Sequence, residues 1–119
     1  MLASGAEQSL TRGVDADGAY VALLVIHLHF PDADSLKAKR SELQSVKARL
    51  RTRRGVSVAE VGYQDTWQRA LLAGALTGGS LRALQMSVDR VEDWLLARFP
   101  ETVRVERSLT SFRDAGGIG

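Results

Sequence analysis

The sequence predicts an α+β fold made of two βαβ units, and three observations carry that expectation. Four runs rich in β-branched and other apolar residues, at 20–30, 56–63, 67–77 and 102–112, are separated by two runs with helical apolar spacing. Each helical run begins just after a serine able to cap a free helix end and stops at a glycine or a Phe-Pro pair. The chain is 119 residues long, 45 % apolar and 25 % charged, which suits one globular domain.

The first strand, Tyr20 to Phe30, reads apolar on both faces at first and then alternates, and Pro31 ends it. The first helix starts at Asp34 or Ser35 and runs to about Arg54, where Gly55 stops it; Leu36, Leu43, Val46 and Leu50 share its apolar face. Val56 to Tyr63 is the second strand, and Gln64-Asp65-Thr66 suits a short turn. Trp67 to Thr77 is the third strand, with a helix as its rival reading because of its Leu and Ala content. Gly78-Gly79-Ser80 breaks the chain and caps the second helix, which spaces Leu81, Leu84, Val88, Val91 and Leu95 along one side. Thr102 to Phe112 is the fourth strand. Residues 1–18 read as a flexible N-terminal extension and 113–119 as a flexible C-terminal tail, leaving 19–112 as the domain.

Two βαβ units joined by a hairpin form the ferredoxin-like sandwich, a four-stranded antiparallel sheet with both helices on one face. Right-handed crossovers set the strand order as 4-1-3-2. Ala22, Leu24, Ile26 and Leu28 then face the helices, and His27 and His29 face the open side with Val21, Leu23 and Val25. The end of the first strand comes to lie beside Trp67 and Arg69, the start of the first helix and the turn holding Asp65.

Ser35-Leu36-Lys37-Ala38-Lys39-Arg40, following a strand that ends Leu28-His29-Phe30-Pro31, is one half of a two-part signature. The other half is Val58-Ala59-Glu60-Val61 with Gln64-Asp65-Thr66-Trp67-Gln68-Arg69. Together they resemble the YlxP-like family of small bacterial proteins, over residues 19–112. The resemblance implies the same sandwich fold. The family's biochemical function is not established. Its genes often neighbour those of translation initiation and ribosome-binding factors, which implies a role near the ribosome.

The net charge of +2 conceals an asymmetry: residues 35–54 hold eight basic side chains and one acid, Glu42, and so carry +7, whereas the remainder carries −5. At about 100° per residue, Lys37, Arg40, Lys47, Arg51 and Arg54 form a stripe beside the apolar face. Such a stripe suits a phosphate backbone, giving structured RNA or the ribosome as the expected partner. The alternative is a solvated face whose cationic end complements the helix dipole. His29, Trp67 and Arg69 extend the stripe round the domain end, with Trp67 offering a base a stacking face or else anchoring the open sheet. Asp65 and Arg69 are expected to form an ion pair across the hairpin.

Other chemistry is scarce. There is no cysteine, and hence no disulfide, thiolate ligand or thiol nucleophile. His27 and His29 have the spacing of two metal ligands on one strand face, but the third, from Glu60 or Asp65, is not specified; no metal or cofactor is expected. Gly78-Gly79-Ser80 lacks the phosphate-loop lysine and reads as a cap. No serine relay or nucleophile elbow is present, so a binding protein is expected rather than an enzyme. No signal peptide or membrane span is legible, giving a cytoplasmic expectation. The apolar open face favours an alternative, a homodimeric ligand-binding or regulatory module.

Overall fold

The computed structural model describes residues 18–116; nearly all of the expected N-terminal extension, residues 1–17, and residues 117–119 lie outside the described residues. The elements are β1 (Tyr20–His29), α1 (Leu36–Arg54), β2 (Ser57–Gly62), β3 (Arg69–Gly78), α2 (Leu81–Arg98), β4 (Val103–Ser111) and α3 (Phe112–Gly116). The sheet is antiparallel in the order β2-β3-β1-β4, the expected 4-1-3-2 read from the other edge.

Local chemistry sets the helix limits. Ser35 is extended and its Oγ accepts from the Ala38 N–H at 3.0 Å, while Gly55 takes φ 67° and its N–H returns to the Leu50 carbonyl. Ser80 caps α2 in the same way, its Oγ accepting from the Ala83 N–H at 3.1 Å. The third apolar run is a strand, as expected. It pairs with β1 from Tyr20–Gly78 to His29–Arg69, and burial alternates along it with the period of two that a helix cannot follow. It starts at Arg69, so Trp67 lies in the turn ahead of it. Beyond β4, the short α3 begins where the Phe112 N–H meets the Ala19 carbonyl at 2.9 Å and Ser111 Oγ accepts from the Asp114 N–H at 3.1 Å.

The core lies between one sheet face and the two helices. Ala22, Leu24, Ile26 and Leu28 of β1 meet Leu43, Val46 and Leu50 of α1 and Leu84, Val88, Val91 and Leu95 of α2. Gly74 sits where the β2 end of the sheet meets the core: a Cβ there would stand 3.0 Å from Val56 Cγ1. Phe30 and Phe99 close the bottom edge-to-face, with ring centroids 5.6 Å apart. Leu36, expected on the buried face, is only half-buried, and the position filled at that end of α1 belongs to Lys39, which is fully buried. Among the described residues no helix covers the opposite sheet face, and Leu23 is 50 % exposed there.

Candidate functional site

Helical geometry explains why α1 carries its charge unevenly. Lys39, Leu43, Val46 and Leu50 follow the i, i+4, i+7, i+11 row that faces the sheet. The expected stripe of Lys37, Arg40, Lys47, Arg51 and Arg54 lies on one flank of that row, over the β2 edge of the sheet. Two of its members are committed to that edge. Arg51 Nη2 donates to the Val58 carbonyl at 3.0 Å, and Arg40 donates to the Gln64 carbonyl at 3.3 Å while lying 3.5 Å from Glu60. Among the described residues, no carboxylate stands within ion-pair distance of Lys37, Lys47, Arg49, Arg53 or Arg54. Arg49 and Arg53 occupy the other flank, so the uncommitted charge straddles the helix.

Lys39, one of the eight basic residues of the segment but not a member of the expected stripe, is buried. Its Nζ donates to the Tyr63 carbonyl at 2.5 Å and the Thr66 carbonyl at 2.6 Å, and lies 3.9 Å from Glu60 Oε2. Burial pushes its amine below the usual lysine range, Glu60 pulls it back up, and Arg40 adds to the lowering. Glu60 Oε2 has no hydrogen bond, so the ammonium is the nearest compensation for that buried oxygen. The signal was present in the sequence: Lys39 stands four residues before Leu43 in the apolar row, where a charge must find buried acceptors.

The lysine thereby shapes the 63–68 loop. Tyr63 takes φ 60°, a left-handed backbone that costs a tyrosine about 1–2 kcal/mol, and its carbonyl is one of the two that Lys39 holds. The loop leaves Trp67 52 % exposed, so it does not anchor the open face. Arg69 stacks 4.8 Å from the Tyr63 ring centroid; the expected Asp65–Arg69 ion pair is not formed, because the first strand residue carries its guanidinium to the ring instead of back into the turn.

His29 is exposed opposite Arg69, and His27 is opposite Arg104 of β4. His27 Nε2 stands 2.6 Å from Glu106 Oε2, and Arg104 Nη2 stands 3.5 Å from His27 Nδ1. Arg104 and Glu106 were not read from the sequence, because neighbouring strands can be named from topology while their register cannot. Glu106 is held below its usual carboxylate range, first by the His27 hydrogen bond and then by the charge of Arg104. Among the described residues, no group of three metal-ligating side chains is present. No helix among them is long and apolar enough to cross a membrane.

Comparison with known proteins adds the following. A family model described as "Protein of unknown function (DUF503)" matches residues 21–107. "Uncharacterized protein YlxP" of Bacillus subtilis (strain 168) is 38 % identical over 79 residues, covering 66 % of this chain and 82 % of that protein. Among solved structures, the de novo designed protein Foldit4 matches at 12 % identity and a TM-score of 0.49, over 78 % of this chain and 97 % of that one.

Proposed function

The chain belongs to the DUF503 family, the YlxP-like group of proteins of unknown function, and from that premise we propose that it is a small RNA- or ribosome-binding protein that docks through α1. One observation supports this above the others. Lys37, Lys47, Arg49, Arg53 and Arg54 project from one helix with no carboxylate within ion-pair distance among the described residues. A 19-residue helix is about 28 Å long, enough to follow several phosphates. Arg40 and Arg51 add charge while holding the β2 edge, and the exposed Trp67 and His29 extend the surface beyond the start of α1.

The test is binding of structured RNA and of ribosomal subunits across a salt series. With three to five phosphates neutralised, the log–log slope should fall at about −2.7 to −4.5 on a duplex. Lys37→Ala with Lys47→Ala should flatten it by about 2. A slope near zero, or one that the double substitution leaves alone, overturns the reading.

A second reading, a homodimer packed through the open sheet face, is favoured by the exposure of Leu23 and Val25 at the centre of that face. Sedimentation across a concentration range checks it. A protein that stays monomeric at tens of micromolar excludes a stable dimer of that kind.

A further inference from the structure

The end of the open sheet face, where β1 stops, holds a concave site that the basic helix does not account for. The cavity has a volume of about 460 Å³, and its lining includes His27, His29, Tyr63, Arg69, Glu101 and Arg104. Three adjacent strands supply His27, His29, Arg69 and Arg104, and the connections ahead of β3 and β4 supply Tyr63 and Glu101. His29 of β1 is paired with Arg69 of β3, and His27 with Arg104 of β4, so two guanidiniums flank the histidines from opposite sides.

Both guanidiniums are held in place before any ligand arrives. Arg69 rests on the Tyr63 ring. Arg104 lies 3.4 Å from Glu106 Oε2 and donates to His27 Nδ1, which leaves the Nε2–H of a neutral imidazole to donate to Glu106. One tautomer thus satisfies both contacts. The cavity wall also holds both of the non-glycine residues with a positive φ among those described, Tyr63 at 60° and Glu101 at 65°. Such backbone is costly unless the surroundings impose it, and for Tyr63 the buried ammonium of Lys39 does so.

We infer that this cleft binds a nucleoside monophosphate unit, with the phosphate between Arg69 and Arg104 and the base against Tyr63. Two preorganised guanidiniums suit a phosphate better than they suit a neutral ligand. Arg69 covers one face of the exposed Tyr63 ring, and the other face is the one offered to a base. Glu101 repels phosphate, but its carboxylate fits the ribose hydroxyls. The volume is within the range of small-ligand sites. The same chemistry is presented by a free nucleotide and by an unpaired nucleotide of an RNA strand. The inference deepens the RNA reading by naming what the far end of that surface holds, yet its two arginines stand on β3 and β4 and not on α1.

The test is an amide-resonance titration of the full chain with adenosine monophosphate, and separately with a pentauridylate, each at low salt. Either titrant should shift His29, Arg69, Ala70 and Arg104. Arg69→Gln and Arg104→Gln should each weaken that binding at least tenfold, whereas Arg90→Gln on α2 should leave it unchanged. The variant spectra show directly that the fold persists. A response to the strand alone assigns the site to RNA, and a response to the mononucleotide assigns it to free nucleotides as well. Silence from both titrants, or binding that neither arginine variant weakens, overturns the cleft. The α1 reading is untouched by that failure, because it is judged on the salt slope of structured RNA.

Discussion

Replacing Lys39 by methionine tests the physical centre of this description. The side chain is fully buried and its ammonium makes two short hydrogen bonds to loop carbonyls, with Glu60 3.9 Å away. Methionine keeps the length and fills the space, so little cavity is created. What it removes is the positive charge, leaving the Thr66 carbonyl and Glu60 Oε2 without compensation and the Tyr63 carbonyl with the Thr66 N–H alone. Removing one partner from a buried ionic cluster costs about 3–5 kcal/mol, mostly from the polar groups left behind. For a domain of this size each kcal/mol is worth roughly 4–8 °C, so the melting temperature should fall by about 12–40 °C.

Urea unfolding followed by circular dichroism gives the free energy directly, and the double variant Lys39→Met with Glu60→Gln identifies its source. Glutamine removes the buried carboxylate charge that is left with Arg40 alone, so the double variant should recover about 1–2 kcal/mol of the loss. The loop should report as well: without the ammonium, the left-handed conformation of Tyr63 is held by the Thr66 N–H alone, and the ring-current shifts on Arg69 should weaken. A loss below about 1 kcal/mol for Lys39→Met would refute the reasoning, since the buried acceptors would then be satisfied without the lysine.

Three further predictions follow from other parts of the structure. Gly74→Ala places a methyl 3.0 Å from Val56 Cγ1 inside the core and should cost about 1–3 kcal/mol in urea titration. Ser35→Ala removes the acceptor of the Ala38 N–H and should cost about 1 kcal/mol, with faster hydrogen exchange confined to the first turn of α1. Glu106 has a folded pKa below its unfolded value, so its contribution to stability is present above the unfolded value and is lost as pH falls through the folded one. Its carboxyl carbon resonance should titrate low, and His27→Ala should move that midpoint upward because the principal hydrogen bond is gone.

Much of the fold was legible because local chemistry and periodicity agreed. Ser35 and Gly55 bracket α1, Ser80 starts α2, and the alternation along β1 assigns Leu24 and Ile26 to the core and Leu23 and Val25 to the open face. The candidate surface was less legible. A helical wheel places Arg40 and Arg51 on a cationic flank but does not say that a sheet edge lies beneath it, with carbonyls that bind them. Composition counts Lys39 with the other cations, although its position in the apolar row marks it as buried. Arg104 and Glu106 enter the His27 neighbourhood through a register that no local pattern encodes. In each case the missing information was a contact between residues distant in sequence.

Those distant contacts also change what the two signature stretches mean. Ser35–Arg40 and Val58–Arg69 are separated in the chain, yet Lys39 and Arg40 of the first reach Glu60, Gln64 and Thr66 of the second, and Tyr63 between its two halves. A signature that served only to touch a partner would leave its cations facing solvent. Here two of the three basic residues in the first stretch are used inside the protein, and what they build is a loop. That loop exposes Trp67 and sets Tyr63 under the Arg69 guanidinium. It joins the start of the α1 surface to the cleft at the end of β1, whose other wall is Arg104 and Glu101. The signature therefore specifies a scaffold with two outputs, one on the helix flank and one on the open sheet. A variant that loosens the scaffold should weaken both together, whereas Lys37→Ala and Arg104→Gln should separate them. That separation is the measurement that distinguishes one continuous nucleic-acid surface from two neighbouring sites.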